Sequence, residues 1–364
     1  MRKRVRRAAE DSAKAHSPGT LVFSKELVND CVRYAAPLNL VYLNNPKCAC
    51  TTVKHALWLA SDSARGTDTF KGNVHDRTID PFAKNVFRLS AGQRERIGHA
   101  AVFSAVRNPF ARARSAYVDK VANDPGVWPF FLKRFGLKPN VGKKELSFAD
   151  FLGLIAVAHD DILDGHFRPQ CRNLLLPLAQ PVFVGFVENM RPVGEFLAQR
   201  GIPFRDERMN ATKAQEQLDA FYDSRTAALV RKRYAEDFAH FGYSRRLADA
   251  RAPAKADELS MGSGRGDSLL SWLSTGNQPP SIAREAKSWF ATFSRTQDRE
   301  KKLRIARRAF ATEHNWSRLE RYAKFVRRKS RDRSLGDAIY ERMESLRRGY
   351  ANAVSDPNLF VALR

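Results

Sequence analysis

The chain has 364 residues, 43% of them hydrophobic, and a formal net charge of +24. That length and apolar content suit one large or two ordinary domains with a packed core, and no apolar run reaches the length of a bilayer span. Four cysteines (Cys31, Cys48, Cys50, Cys171) do not make a dense disulfide framework. The charge implies attraction to polyanions, with an acidic glycan, an anionic lipid surface or nucleic acid as the choices and a solvated basic face as the bland alternative.

Residues 1–19 open as Met1-Arg2-Lys3-Arg4-Val5-Arg6-Arg7, a basic arm without the apolar stretch of a signal peptide behind it. Residues 20–248 read as one α/β domain with a largely parallel sheet and strands expected at 39–44, 101–106 and 182–187. The first strand runs into Asn44-Asn45-Pro46-Lys47-Cys48-Ala49-Cys50-Thr51-Thr52, and helical periodicity follows through Val53–Ala60. A strand, a tight loop with a lysine and two hydroxyls, and a helix N-terminus together form an anion cradle, suited above all to a phosphate.

The loop-rich segments 62–98 and 120–148 are expected to shape a substrate cleft. The second strand leads into Arg107-Asn108-Pro109-Phe110, with Pro109 at the first helical position and Ser115 two turns in. A guanidinium at a strand end, a helix start and a hydroxyl make a second phosphate site. Two such sites on neighbouring βα units suggest a ligand with two separated phosphates.

Residues 249–280, rich in Gly, Ser, Asp and Pro, are expected to be a linker interrupted by Leu269-Leu270-Ser271-Trp272-Leu273. Residues 281–364 carry 21 Lys and Arg against 10 Asp and Glu. Helical periods run through 282–290, 303–310 and 319–326. Three or four short helices paired as hairpins are expected, serving either as a surface for an anionic partner or as a cap on the catalytic domain.

The two phosphate elements resemble the 5′- and 3′-phosphate motifs of sulfotransferases that use 3′-phosphoadenosine-5′-phosphosulfate (PAPS), and most nearly the carbohydrate sulfotransferases of the chondroitin and dermatan type. His166-Phe167-Arg168-Pro169-Gln170 looks like that family's His-Trp-x-Pro-Gln segment, and Val184-Gly185-Phe186-Val187-Glu188 like the strand after it. Asn210-Ala211-Thr212-Lys213 and Tyr234–Tyr243 resemble a family loop and its closing helix. The resemblance spans roughly residues 38 to 245. It implies a P-loop-like three-layer sandwich with a C-terminal helical extension, and PAPS as co-substrate without a metal. The family's Cys-x-x-Cys positions fall here at Leu174 and Pro177, and its membrane anchor has no counterpart. A cytoplasmic enzyme is therefore expected, with peripheral contact to an anionic inner membrane surface as an option.

The resemblance also assigns roles. Lys47 would stabilise the 5′-phosphate and the bridging oxygen, and the segment Cys48, Ala49, Cys50, Thr51 and Thr52 would cradle that phosphate. Arg107 and Ser115 would hold the 3′-phosphate, while Thr212 and Lys213 would touch the nucleotide. Arg168 and Gln170 would face either the acceptor or the nucleotide. A general base is needed to take the acceptor proton. His75 and His166 are its candidates, followed by His99 and a carboxylate such as Glu188. The expected reaction is in-line sulfuryl transfer from PAPS to a carbohydrate hydroxyl on a polysaccharide, glycolipid or oligosaccharide. The rivals are a P-loop kinase or NTPase, although the loop has no glycine, and a non-enzymatic polyanion binder. The chain shows no zinc-finger spacing or RNA-recognition signature that would favour nucleic acid.

Overall fold

The computed structural model describes residues 23, 25–63, 74, 82, 85–123, 128–139, 146–176, 178–204, 218–251, 258–260, 268–276, 289–329, 333–354 and 360–362. Helix α1 (Lys25–Cys31) runs directly into strand β1 (Val32–Ala35). A short 3-10 turn, closed by Asn39 in the left-handed region at φ 49°, sends the chain back along β2 (Leu40–Leu43). The hairpin pairs Val32 with Leu43 and Ala35 with Leu40. Helix α2 (Cys50–Ser63) and α3 (Ala91–Ile97) precede β3 (Ala101–Val106), and α4 (Pro109–Tyr117) leaves it through a π-helical turn at Val118–Ala122. Next come α5 (Trp128–Lys133), β4 (Leu137–Pro139), α6 (Phe148–Val157), α7 (Gln170–Asn173), β5 (Phe183–Phe186) and α8 (Arg191–Ala198). Helices α9 (Leu218–Phe221), α10 (Ser224–Arg233) and α11 (Ala235–His240) lead to β6 (Glu258–Leu259) and α12 (Ser268–Thr275). The chain ends with α13 (Trp289–Arg295), α14 (Arg299–Ala309), α15 (Trp316–Lys329), α16 (Arg333–Ala351) and β7 (Phe360–Ala362).

Two compact units divide the chain. The first comprises Lys25–Ala116 and Asp164–Pro279 and holds a five-stranded sheet in the order β1-β2-β3-β5-β6. Its three central strands are parallel, and β1 and β6 are antiparallel edges. Every residue of β1, β2 and β5 is buried, which explains why these strands read as unbroken apolar runs. One side of the core joins Tyr42, Phe103, Phe183 and Phe196 to Val53, Leu57 and Trp58 of α2.

Both edge strands lie outside the three expected ones. β1 precedes them, and β6 falls inside the stretch expected to be a linker. That stretch also contains α12, whose Leu269, Leu270, Trp272 and Leu273 are buried. Each recruitment pairs an edge of a sheet that would otherwise end in open backbone groups.

The second unit comprises Met1–Ser24, Tyr117–Leu163 and Pro280–Arg364. This grouping differs from the expected boundaries, because the inserted segment and the C-terminal helices belong together. β4 pairs antiparallel with β7, with Leu137 opposite Ala362. Gly136 takes φ +74°, and any side chain there would meet the Trp316 ring. Tyr322, Leu319, Ile339, Ile305 and Met343 form the buried centre of α14–α16. The 14-residue α15 and 19-residue α16 are longer than the short helices expected. Among the described residues, no helix is long and apolar enough to cross a membrane.

Candidate functional site

The site grows from the carboxyl ends of β2 and β3, the usual ligand side of an α/β sheet. After β2 the chain turns at Asn44–Ala49, and α2 starts at Cys50. Lys47 (φ 69°) and Ala49 (φ 54°) both adopt the left-handed region, which costs a residue with a Cβ roughly 1–2 kcal/mol. Such strain clusters where a loop must present its backbone. The turn leads directly into a 14-residue helix, whose N-terminus carries the positive end of the helix dipole. Cys48 is fully buried beneath the loop. Burial pushes its thiol up to about 12, so it serves as a protonated donor to Gln170 Oε1 at 3.1 Å.

Arg107 follows β3 directly. Its Nη1 donates to the Lys47 carbonyl at 3.5 Å, so the two elements expected to bind phosphate are neighbours in space. Asn108 caps α4, its Oδ1 accepting the Phe110 N–H at 3.0 Å. Among the described residues, its buried Nδ2 has no acceptor. Ser115 is buried two turns into the same helix.

Gln170 connects these pieces. Besides the Cys48 thiol, its Oε1 accepts from Asn45 Nδ2 at 3.1 Å and from the Arg107 N–H at 2.9 Å. Its Nε2 donates to the Arg107 carbonyl at 2.8 Å. The backbone N–H groups of Gln170 and Cys171 both donate to the buried Asp237 carboxylate, at 2.8 and 2.9 Å. Both polar atoms of the Gln170 side chain are thus engaged within the protein, where they support the lysine loop and the end of β3.

Arg112, on α4, is also buried. Its guanidinium donates to the carbonyls of Pro46 (3.1 Å), Arg168 (2.8 Å) and Gly165 (2.7 Å). One side chain thus ties the lysine loop to the His166 segment. Gly165 packs closely enough that a Cβ there would touch Pro46 at 3.4 Å. A cleft of about 220 Å³ opens beside this junction, with Arg33, Lys54, Asp164, His166 and Arg168 among its lining residues.

Glu188 accepts the Asn108 N–H and the Tyr243 hydroxyl, each at 2.8 Å. Burial raises its pKa. With both oxygens engaged, it is a structural carboxylate. His99 is exposed, and its backbone N–H closes a turn on Arg96.

The structure therefore brings together Lys47, Cys48, Ala49, Cys50, Thr51, Thr52 and Arg107, with His166 on the neighbouring loop. His75, Thr212 and Lys213 lie outside the described residues. Arg112, Asn45, Asp164 and Asp237 escaped the sequence reading. Among the described residues, no group of three or more His, Cys, Asp or Glu could hold a metal ion.

The family model described as Sulfotransferase family matches residues 32–244. The chain belongs to the sulfotransferase family. The matched span of this sulfotransferase holds the lysine loop, the Arg107 strand end, the Gln170 hub and the cleft, and it ends beside Tyr243. Neither a curated protein nor a solved structure matches the chain.

Proposed function

We propose that this sulfotransferase moves the sulfuryl group of PAPS, in line, to a hydroxyl of a carbohydrate. The observation that carries this reading is the approach of the Arg107 guanidinium to the Lys47 carbonyl at 3.5 Å. It joins a lysine-bearing, P-loop-like cradle to a strand-end arginine, as a ligand with two phosphates requires. The Asn108 Nδ2 donor, buried without an acceptor among the described residues, fits an anion at the same place.

PAPS would supply an activated sulfuryl group and a bisphosphate leaving group. The protein then has to position the reactants and stabilise charge. Lys47 neutralises the charge that builds on the leaving 5′-phosphate. The N–H groups of Cys48 to Thr52, with the Thr51 and Thr52 hydroxyls, bind that phosphate. Arg107 and Ser115 hold the 3′-phosphate, and Thr212 and Lys213 complete the nucleotide contacts. The acceptor proton goes to an imidazole, either His75 or His166.

Arg33, Lys54 and Arg168 line the cleft beside Asp30 and Asp164, and this cationic excess favours an acidic glycan. The C-terminal helices add a basic surface of the same preference: residues 289–329 carry 13 Lys and Arg against 4 Asp and Glu. An anionic inner membrane surface would suit it as well, consistent with a cytoplasmic enzyme acting near glycolipid or polysaccharide acceptors.

Calorimetric titration with adenosine 3′,5′-bisphosphate tests this function, with AMP and ATP as controls. Tight binding of the bisphosphate alone, lost in Arg107→Ala, is expected. Preferential ATP binding, or no nucleotide binding, would remove the reading.

A further inference from the structure

His166 sits where two constraints meet. Its segment is fastened to the lysine loop by the Arg112 guanidinium, which bonds Gly165 and Arg168 on one side and Pro46 on the other. Its ring lines the cleft that opens at this junction. The ring is 28% exposed, accessible to a substrate yet not loose in solvent.

Asp164 holds that ring from below. Its Oδ1 accepts the His166 backbone N–H at 2.9 Å, and the same oxygen makes a short contact with His166 Nδ1. A carboxylate at Nδ1 keeps the proton there and leaves the Nε2 lone pair for the open side of the ring. Asp30, Arg33, Lys54 and Arg168 also line the cleft. Among the described residues, His166 is its one imidazole.

We propose that this cleft is the acceptor site and that Asp164 is the positioning residue that makes His166 the base. The proposal rests on the sulfuryl-transfer reading above and selects between its two imidazoles. The acceptor hydroxyl enters from the cleft, and its proton passes to His166 Nε2. The hydroxyl oxygen forms the new bond to sulfur as the bond from sulfur to the bridging phosphate oxygen breaks. The electron pair of that bond leaves with adenosine 3′,5′-bisphosphate. Asp164 stays ionised throughout and stabilises the imidazolium, so the step is balanced without any further reactant.

Sequence reasoning weighed His166 without this carboxylate. Only Gly165 lies between them, and the turn at 164–166 folds the side chain of one back onto the ring of the other.

The test uses the full chain and four variants: Asp164→Asn, Asp164→Glu, His166→Gln and His75→Gln. Bisphosphate titration comes first. If wild type fails to bind, the sulfuryl-transfer reading falls, whatever the dyad does. With binding established, nitrogen NMR of labelled histidine reports the His166 tautomer. The expected result is Nδ1–H in wild type, changing in Asp164→Asn. PAPS turnover is then followed with water as the acceptor probe. Asp164→Asn and His166→Gln should lose about 10²–10⁴-fold in kcat, with KM for PAPS and bisphosphate affinity unchanged. Asp164→Glu should recover part of the loss, and any loss in His75→Gln should be smaller than that in His166→Gln. An Nε2–H tautomer in wild type would overturn the proposal. So would wild-type turnover by Asp164→Asn, the loss appearing in His75→Gln instead, or bisphosphate binding without any turnover.

Discussion

Gln170 grips Arg107 by both polar atoms of its backbone: Oε1 accepts the Arg107 N–H at 2.9 Å, and Nε2 donates to the Arg107 carbonyl at 2.8 Å. The amide acts as a substitute strand partner at the point where β3 ends and regular pairing stops. Replacing it with a carboxylate removes the donor and adds charge beneath an anion site. Gln170→Glu is expected to weaken bisphosphate binding by one to two orders of magnitude, about 1.4 kcal/mol per tenfold. Gln170→Ala, which orphans several buried groups, should also lower stability by about 2–4 kcal/mol. Calorimetry and urea unfolding separate the two effects.

Lys47 and Arg107 should fail in different ways. In the proposed reaction Lys47 would meet charge that develops only as the bridging bond breaks, so Lys47→Ala should abolish kcat while bisphosphate binding survives in part. Arg107 would hold a phosphate that does not react, so Arg107→Ala should mainly raise KM for PAPS. Steady-state kinetics with varied donor distinguish these patterns, and equal effects of both variants on kcat and KM would contradict the assigned roles.

Arg112→Ala strands the carbonyls of Pro46 and Arg168, while Gly165 keeps the Asn173 Nδ2 donor at 2.8 Å. With each orphaned group costing ~1–3 kcal/mol, a loss of at least ~2 kcal/mol is expected in denaturant unfolding. Arg112→Lys keeps the charge but lacks the planar fork, so it should recover only a fraction. Full recovery by lysine would mean that charge, rather than shape, is what the junction needs.

In the second unit, His159 and His314 stack with ring centroids 4.0 Å apart and planes at 3°. Burial, reinforced by the neighbouring His159, holds His314 down at about 4. The folded protein therefore binds fewer protons than the unfolded chain between about pH 4 and the ordinary imidazole range near 6.5. This contribution is full above that window and is lost as pH falls through it. His314→Phe keeps a flat ring on His159 and cannot titrate. Its unfolding free energy in urea should fall less than that of wild type between pH 7 and pH 4.5, by up to ~3 kcal/mol. The adjacent Glu313, which burial pushes up, is present in both proteins and cancels in the comparison.

Much of the central sheet was legible because its signals are local. The apolar runs at 40–43, 101–106 and 183–186 are buried strands, and the lysine loop and Pro109 announce the helices that follow them. The edges were not legible. β6 is two residues long, and β4 pairs with β7 across more than 200 residues, so neither segment carries enough periodicity to stand out. The charged residues beside the strand ends were more conspicuous in the sequence than the residues that support their loops. Lys47 and Arg107 stand beside strand ends, where charge is conspicuous. The partners of Gln170 come from 63 to 125 residues away, and that convergence exists only in the folded chain. Left-handed backbone at Lys47 and Ala49 was equally hidden, since neither residue is a glycine.

The triple bond of Arg112 has a consequence for the order of events. Its guanidinium ties the lysine loop to the His166 segment, the donor and acceptor sides on the proposed assignment, so order imposed on one should be felt by the other. Nucleotide captured at the lysine loop should slow amide exchange at 165–168, a segment with no role in holding phosphate. Linkage is reciprocal, and an occupied cleft should tighten the grip on nucleotide in return. The two substrates thus communicate through a residue that touches neither of them.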